Sequence, residues 1–289
     1  MRKIGNTSVP VPGWGLMGFS AFYATDKTED DFVPVFKVAY DAGCRMWDTA
    51  DIYSRESLGQ NERLVAKAMR ELKIPRKDIF LCTKFGWLPG LTGIRGDPEY
   101  VKSAIERSLK PGDVRAMQEL KDAGKIRYIG LSECSAETLR RASKVAKIDA
   151  VQWEYSLWET SIETNGVLDA CKELGIALVA YSPLGRGMLR SACGKFRQRS
   201  DLAADDVRLG LPRFSEENFP KLGLAWVLAQ WEGILVIPGT TRVAALEENI
   251  GAATVTLTAE ELEEIRKVLD SFPVAGNRYD AEMLSNSNA

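Results

Sequence analysis

Three side chains able to hold and move a proton fall at comparable places in two neighbouring segments. In GCRMWDTADIY (43–53), Asp48 closes a strand-like run and Tyr53 lies on the loop beyond it. In IFLCTKF (79–85), Lys84 closes the next such run. An isolated tyrosine has a pKa of about 10. A nearby ammonium favours the phenolate, and a carboxylate paired with that ammonium fixes its position. Brought together, the three would give a phenol able to release a proton near neutral pH. Taken singly, Lys84 could equally be a surface lysine and Asp48 a helix cap.

A second set of segments suits an anionic, flat-ringed ligand. In VIPGTTRVAALEEN (236–249) a strand ends at Pro238 and Gly239, two threonines follow, and Arg242 stands where a helix begins. Backbone N–H groups, hydroxyls and a guanidinium at a helix N-terminus form an anion site, although an ordinary capped helix would look similar. SPLGRGML (182–189) puts Gly185, Arg186 and Gly187 after another strand end, where glycines let a backbone approach phosphate closely. Ser132 and Gln152 occupy the strand-like runs IGLSE and VQWEYS and suit hydrogen bonds to a carboxamide. Tyr181 ends ALVAY and could stack on a flat ring. GWGLMG (13–18) matches G-x-G-x-x-G in form, but prolines precede it and no helix opens before about Thr28. It therefore reads as a close-packed turn or strand and not as a dinucleotide fingerprint.

The elements that must position these residues alternate. Runs rich in β-branched and aromatic residues (around 15–19, RMWDTA, IFLCTKF, IRYIGLS, AVQWEYS, ALVAYSPL, ILVIPGT) are separated by segments of helical periodicity. Such alternation implies a parallel sheet covered by helices, and at 289 residues a single (β/α)₈ barrel domain over 1–289 is the expected architecture. Only seven strands can be counted where the barrel needs eight. The segment around 190–213 reads as a long loop, the last helical run as an appendage with a solvated acidic face, and residues 277–289 as a mobile tail. Trp153, Trp158 and Trp226 read as core or interface, and Phe85 and Trp87 as lining for an apolar substrate mouth.

Composition narrows the function classes. A net charge of −2 without a basic stripe argues against nucleic acid as a partner. No apolar run reaches the ~18–20 residues of a membrane span, and no apolar stretch follows the basic N-terminus as in a signal peptide. The five cysteines are odd in number and form no C-x-x-C pair, which suits reduced thiols in the cytoplasm and no metal site. The chain contains no histidine.

These segments, in this order and over nearly the whole chain, resemble the aldo-keto reductase family, most closely its pyridoxal reductase-like branch with fungal and plant members. The resemblance implies a (β/α)₈ barrel, NADPH as cofactor, a small-molecule carbonyl substrate and reduction of an aldehyde or ketone to an alcohol. By it, Asp48, Tyr53 and Lys84 match three of four catalytic residues, with Tyr53 as proton donor. Ser132 and Gln152 match the residues that bind the nicotinamide carboxamide, Tyr181 the one that stacks on the ring, and Gly185 and Arg186 the pyrophosphate loop. Gly239, Thr241, Arg242 and Asn249 match the adenosine 2′-phosphate end. Glu133 departs from the asparagine that many members carry.

A larger departure lies in IERSLKPGDVRAMQELKDAG (105–124), where two helical patterns are separated only by Pro111-Gly112-Asp113. The family's fourth strand, with the histidine that orients the carbonyl, belongs there. Three extended residues span about 10–11 Å at most, and ten helical residues rise about 15 Å. Unless a helix end unravels, the link is thus too short to return the chain across a barrel and start a helix on the other face. A strand with its loops needs on the order of 10–20 residues. A gene model that skips an exon accounts for this most simply; a true variant or an omitted segment are the alternatives. The expected consequence is reduced turnover, or a non-catalytic NADPH-binding or regulatory protein of the same fold.

Overall fold

The computed structural model describes residues 1–21, 28–55, 57–88, 93–97, 99–100, 114–185 and 221–271. The chain opens with an antiparallel hairpin, β1 (Arg2–Ile4) and β2 (Thr7–Val9), turning at Gly5-Asn6. The seven expected parallel strands follow as β3 (Trp14–Gly15), β4 (Met46–Asp48), β5 (Phe80–Cys82), β6 (Gly130–Ser132), β7 (Ala150–Glu154), β8 (Ala177–Tyr181) and β9 (Ile234–Val236).

They pair as β3-β4-β5 and β6-β7-β8-β9. The two sheets join where the Gly13 N–H donates to the Val236 carbonyl (2.9 Å), the Gly15 N–H to that of Pro238 (3.3 Å), and Gly15 bridges Gly239 in parallel. A Cβ on Gly15 would lie 2.8 Å from the Ile237 carbonyl oxygen, so only glycine allows this seam. GWGLMG is accordingly close-packed, but the strand expected around 15–19 is confined to Trp14–Gly15, and Met17–Phe19 turn into a 3-10 helix. The result is one arc, β6-β7-β8-β9-β3-β4-β5, whose ends do not pair with each other among the described residues. Among the described residues no strand lies between β5 and β6, the place to which the sequence reading assigns the missing fourth strand.

Helices cover the arc: α1 (Glu29–Asp41), α2 (Gln60–Glu71), α3 (Val114–Asp122), α4 (Ala136–Ser143), α5 (Val167–Leu174), α6 (Leu222–Ala229), α7 (Val243–Gly251) and α8 (Ala259–Ser271). The Thr28 N–H donates to Asp31 Oδ2 at 2.8 Å, a capping interaction reinforced by acidic residues in the first turn of α1. Rings of Trp14, Phe19, Phe32, Phe36 and Trp47 pack edge-on or tilted between α1 and the sheet. Trp153, Tyr155 and Trp226 anchor the other side, as expected for core, whereas Trp158 is exposed. Inside the arc, Met46, Ala177, Val179, Leu235 and Ile237 pack with Ile4 and Val9 of the hairpin, which fills the end where the strands begin.

The hairpin went unread in the sequence, although Gly5-Asn6 between alternating residues is a turn signal. α5 is shorter than its helical pattern, because Ser161–Glu163 form a 3-10 turn and Gly166 at φ +82° starts the helix afresh. The Pro111-Gly112-Asp113 link, the loop around 190–213 and the tail 277–289 lie outside the described residues.

Candidate active site

β4 delivers Asp48 at its last position, and Lys84 follows β5 by two residues. Asp48 lines up with Cys82 across the β4–β5 ladder, so Lys84 overhangs the carboxylate at the end of the strands. Its Nζ sits 2.5 Å from Asp48 Oδ1 and also donates to the Thr49 carbonyl at 2.8 Å. Asp48 is 2% exposed and Lys84 21%. The same ammonium lies 4.7 Å from the centroid of the Tyr53 ring. The three residues are thus together, as expected from their strand-end positions.

Electrostatics correct one expectation. Burial draws the Lys84 ammonium downward, but the charge of Asp48, the proximity of Tyr53 and hydrogen bonds to both raise it further, so it stays charged. Burial pushes the Tyr53 phenol above the ordinary tyrosine range. Lys84 pulls it down, Asp48 pushes it up, and the net direction is upward. Burial thus works against the sequence reading of a phenol ready to lose its proton near neutral pH, and it outweighs the ammonium. The phenol is held in its protonated form.

Gln152, on β7, donates from Nε2 to Asp48 Oδ2 at 2.9 Å, so both oxygens of Asp48 are engaged. Ser132 is paired in register with Gln152 and exposed at the end of β6. Tyr181 ends β8, followed by a tight turn in which the Gly185 N–H donates to the Ser182 carbonyl at 2.8 Å, with Gly185 at φ +53°. Glu133, the departure from asparagine, adopts φ +51°, a conformation asparagine tolerates better. Its Oε1 accepts from the Glu154 N–H at 3.2 Å.

At the far end of the arc, Gly239 is held against β3 and Trp14 Nε1 donates to the Thr240 carbonyl at 3.0 Å. The Arg242 N–H donates to Thr240 Oγ1 at 3.2 Å, and exposed Arg242 is the N-cap of α7. Thr241 is partly buried beside it. Asn249, two turns further along α7, is 3% exposed, and its Nδ2 has no hydrogen-bond partner among the described residues. A buried amide donor left unpaired costs about 1–3 kcal/mol, which a ligand acceptor would relieve. Arg186 lies outside the described residues. Trp87 forms a bridge with Ile94 beyond β5, and Phe85 packs with Leu88 and Tyr100.

The sequence reading missed Thr49, Ser20 and Asn61, which stand behind the Asp48–Lys84 pair. One signal was available for Asn61. It falls on the stripe shared by Leu64, Val65, Ala68 and Met69 in α2, where a core-facing apolar residue belongs.

The sequence pattern described as the aldo/keto reductase family matches residues 13–116 and 113–270. The chain belongs to the aldo/keto reductase family. It is 38% identical to the aldo-keto reductase str7 of Strobilurus tenacellus, over 96% of this chain and 94% of that protein. It is 39% identical to the aldo-keto reductase yakc [NADP(+)] of Schizosaccharomyces pombe, with the same coverage. Among solved structures, a thermostable aldo-keto reductase bound to the inhibitor epalrestat is 27% identical, with a TM-score of 0.69 over 93% of this chain and 98% of that one. An aldo-keto reductase from Klebsiella pneumoniae in complex with NADPH superposes with a TM-score of 0.72 over 97% and 99%, at 22% identity.

The family match breaks and resumes at residues 113–116, next to the Pro-Gly-Asp link. The alignment with str7 runs over 326 positions against the 289 residues of this chain, so at least 37 of them face no residue here.

Proposed function

We propose that this chain is an NADPH-dependent carbonyl reductase of low turnover, residues 1–289 forming one barrel unit, with Tyr53 as the proton donor to an aldehyde or ketone oxygen. The observation that carries the proposal is the Asp48–Lys84 pair beside the Tyr53 ring. The relative named for NADP(+) and the neighbour solved with NADPH support the choice of cofactor.

The unpartnered Nδ2 of Asn249 and the donors around Gly239, Thr241 and Arg242 fit the adenosine 2′-phosphate end of that cofactor. Gly185 and Arg186 would serve the pyrophosphate, and Ser132, Gln152 and Tyr181 the nicotinamide. When bound, NADPH supplies a hydride to the carbonyl carbon. Tyr53 holds a proton at Oη for the carbonyl oxygen, and burial keeps that proton in place until a substrate accepts it. As the proton leaves, the Lys84 ammonium meets the developing phenolate charge, and Asp48 and the Thr49 carbonyl keep the ammonium where it is needed. Gln152 holds the second oxygen of Asp48. With no histidine in the chain, no imidazole assists Tyr53 in polarising the carbonyl. The free thiols of Cys44, Cys82, Cys134 and Cys171 support a reducing, cytoplasmic setting, and among the described residues no helix is long and apolar enough to cross a membrane.

The test is a fluorescence titration with NADPH followed by aldehyde-dependent loss of reduced-nicotinamide absorbance. Binding with slow turnover is the expected result, at about 10²–10³ below intact relatives, the usual effect of one lost carbonyl-polarising donor. Binding without any hydride transfer would favour a non-catalytic, NADPH-sensing role instead, and absence of binding would overturn both. Arg242→Ala should weaken NADPH about tenfold, since one charge-assisted bond to phosphate is lost at an exposed position. NADH, lacking the 2′-phosphate, should be nearly unaffected in the same titration.

A further inference from the structure

We infer that Asn61, on α2 and outside the reach of substrate, is a positioning residue that sets the mutual placement of Tyr53, Lys84 and Asp48. This rests on the reading of Tyr53 as proton donor. Asn61 is fully buried, and every strong hydrogen-bonding group of its carboxamide except one acceptor lone pair is in use. Oδ1 accepts from Thr49 Oγ1 at 2.6 Å. Nδ2 donates to the Leu16 carbonyl at 2.9 Å and to Ser20 Oγ at 2.7 Å.

Each of these three partners leads to a different member of the site. Ser20 Oγ donates onward to the Tyr53 carbonyl at 2.7 Å. The Thr49 carbonyl accepts from Lys84 Nζ at 2.8 Å. The Leu16 N–H donates to the Asp48 carbonyl at 2.9 Å. One side chain therefore joins the strand-end backbone beneath the carboxylate, the acceptor that anchors the ammonium, and the loop that carries the phenol.

Two arguments favour positioning over plain core filling. Asn61 takes a place on the apolar stripe of α2, where leucine or valine would pack without needing partners. A fully satisfied polar network in a dry interior fixes a single geometry, whereas apolar packing tolerates small shifts. Lys84 must also meet the phenolate as the proton leaves, and a displacement of about 1 Å can cost on the order of 10²-fold in rate.

The experiment compares Asn61→Ala, Asn61→Asp, Ser20→Ala and the Asn61→Ala/Ser20→Ala double variant with the parent chain. Turnover is expressed per NADPH-binding molecule, so that loss of folded protein is separated from loss of chemistry. Asn61→Ala is expected to lower kcat by about 10²-fold, with the NADPH dissociation constant within about twofold of the parent. Ser20→Ala, which cuts only the branch to Tyr53, should lose a smaller factor, and the double variant should be no worse than Asn61→Ala alone because both act through one path. A kcat per binding molecule within about twofold of the parent in Asn61→Asp and Ser20→Ala would overturn the inference. If the Asn61 variants do not fold, Ser20→Ala decides alone by the same criterion. If the parent transfers no hydride, the functional reading fails, and the inference is decided by NMR of ¹³Cζ-labelled tyrosine, assigned with Tyr53→Phe. A shifted Tyr53 resonance in Ser20→Ala supports it, and an unmoved one overturns it.

Discussion

Tyr53→Phe is expected to lower aldehyde-dependent NADPH oxidation by about 10²–10⁴-fold, the usual contribution of a positioned general acid. The dissociation constant for NADPH should remain close to that of the parent, because the phenol belongs to the substrate side of the site. The substitution removes one oxygen and keeps the ring that lies 4.7 Å from the Lys84 ammonium, so the pair beneath it should survive. The pH dependence follows from the direction of the phenol's shift. Held above the ordinary tyrosine value of 10.0, Tyr53 is protonated throughout the neutral range. Reduction by the parent should therefore be level with pH around neutrality and decline only in alkaline solution, beyond that value. The reverse oxidation needs the phenolate and should rise with pH over the same range. A reduction rate that falls between about pH 6 and 8 would instead point to a donor with a lower pKa.

That pH profile was not legible in the sequence, and the reason is physical. The residues Asp48, Tyr53 and Lys84 were found because strand ends in an alternating β/α pattern converge, and periodicity exposes strand ends. Charge pairing also follows from residue type, so Lys84 lowering the phenol was foreseeable. Desolvation does not follow from residue type. It depends on what three-dimensional packing places over Tyr53, and here it exceeds the effect of the ammonium. The same limit applies to Gln152. Its strand position marked it as a polar group near the site, but its bond to Asp48 joins β7 to β4, strands far apart in the chain.

Local signals carried the rest unevenly. Gly15 was legible as a close-packed position because prolines before it and the absent helix after it excluded a dinucleotide turn. The partner it packs against, the Ile237 carbonyl, lies at the other end of the chain and could not be read. Asn249 was marked only by the family resemblance, and its burial, with no partner for Nδ2 among the described residues, adds independent support for a ligand there. The N-terminal hairpin was missed because its strands are three residues each, too short for a period-two pattern to stand out.

Grafting a longer segment between β5 and β6 is expected to have the second large effect, and it separates closure of the barrel from chemistry. The graft would replace Lys110–Asp113 with the aligned stretch of the Schizosaccharomyces pombe relative. Among the described residues β5 and β6 each pair on one side only, and near their starts the Phe80 and Tyr128 rings stack 5.6 Å apart. A strand between them would pair its backbone on both sides and remove two exposed edges. The midpoint of thermal unfolding should rise by several degrees, since about 1 kcal/mol moves Tm by roughly 2–4 °C in a domain of this general size. If the graft also brings the family's strand-end histidine to the carbonyl, turnover should rise by about 10²–10³-fold. The same graft with that histidine replaced by glutamine should keep the gain in Tm and lose most of the gain in rate. A graft that raises neither would mean that the seam between β5 and β6 does not accept a strand, and that the low turnover has another origin. Sequencing the transcript across the codons for Leu109 to Val114 would then decide whether the short link is the protein's own. A link confirmed in the transcript, in a protein that binds NADPH, would make the open arc a functional form of the fold.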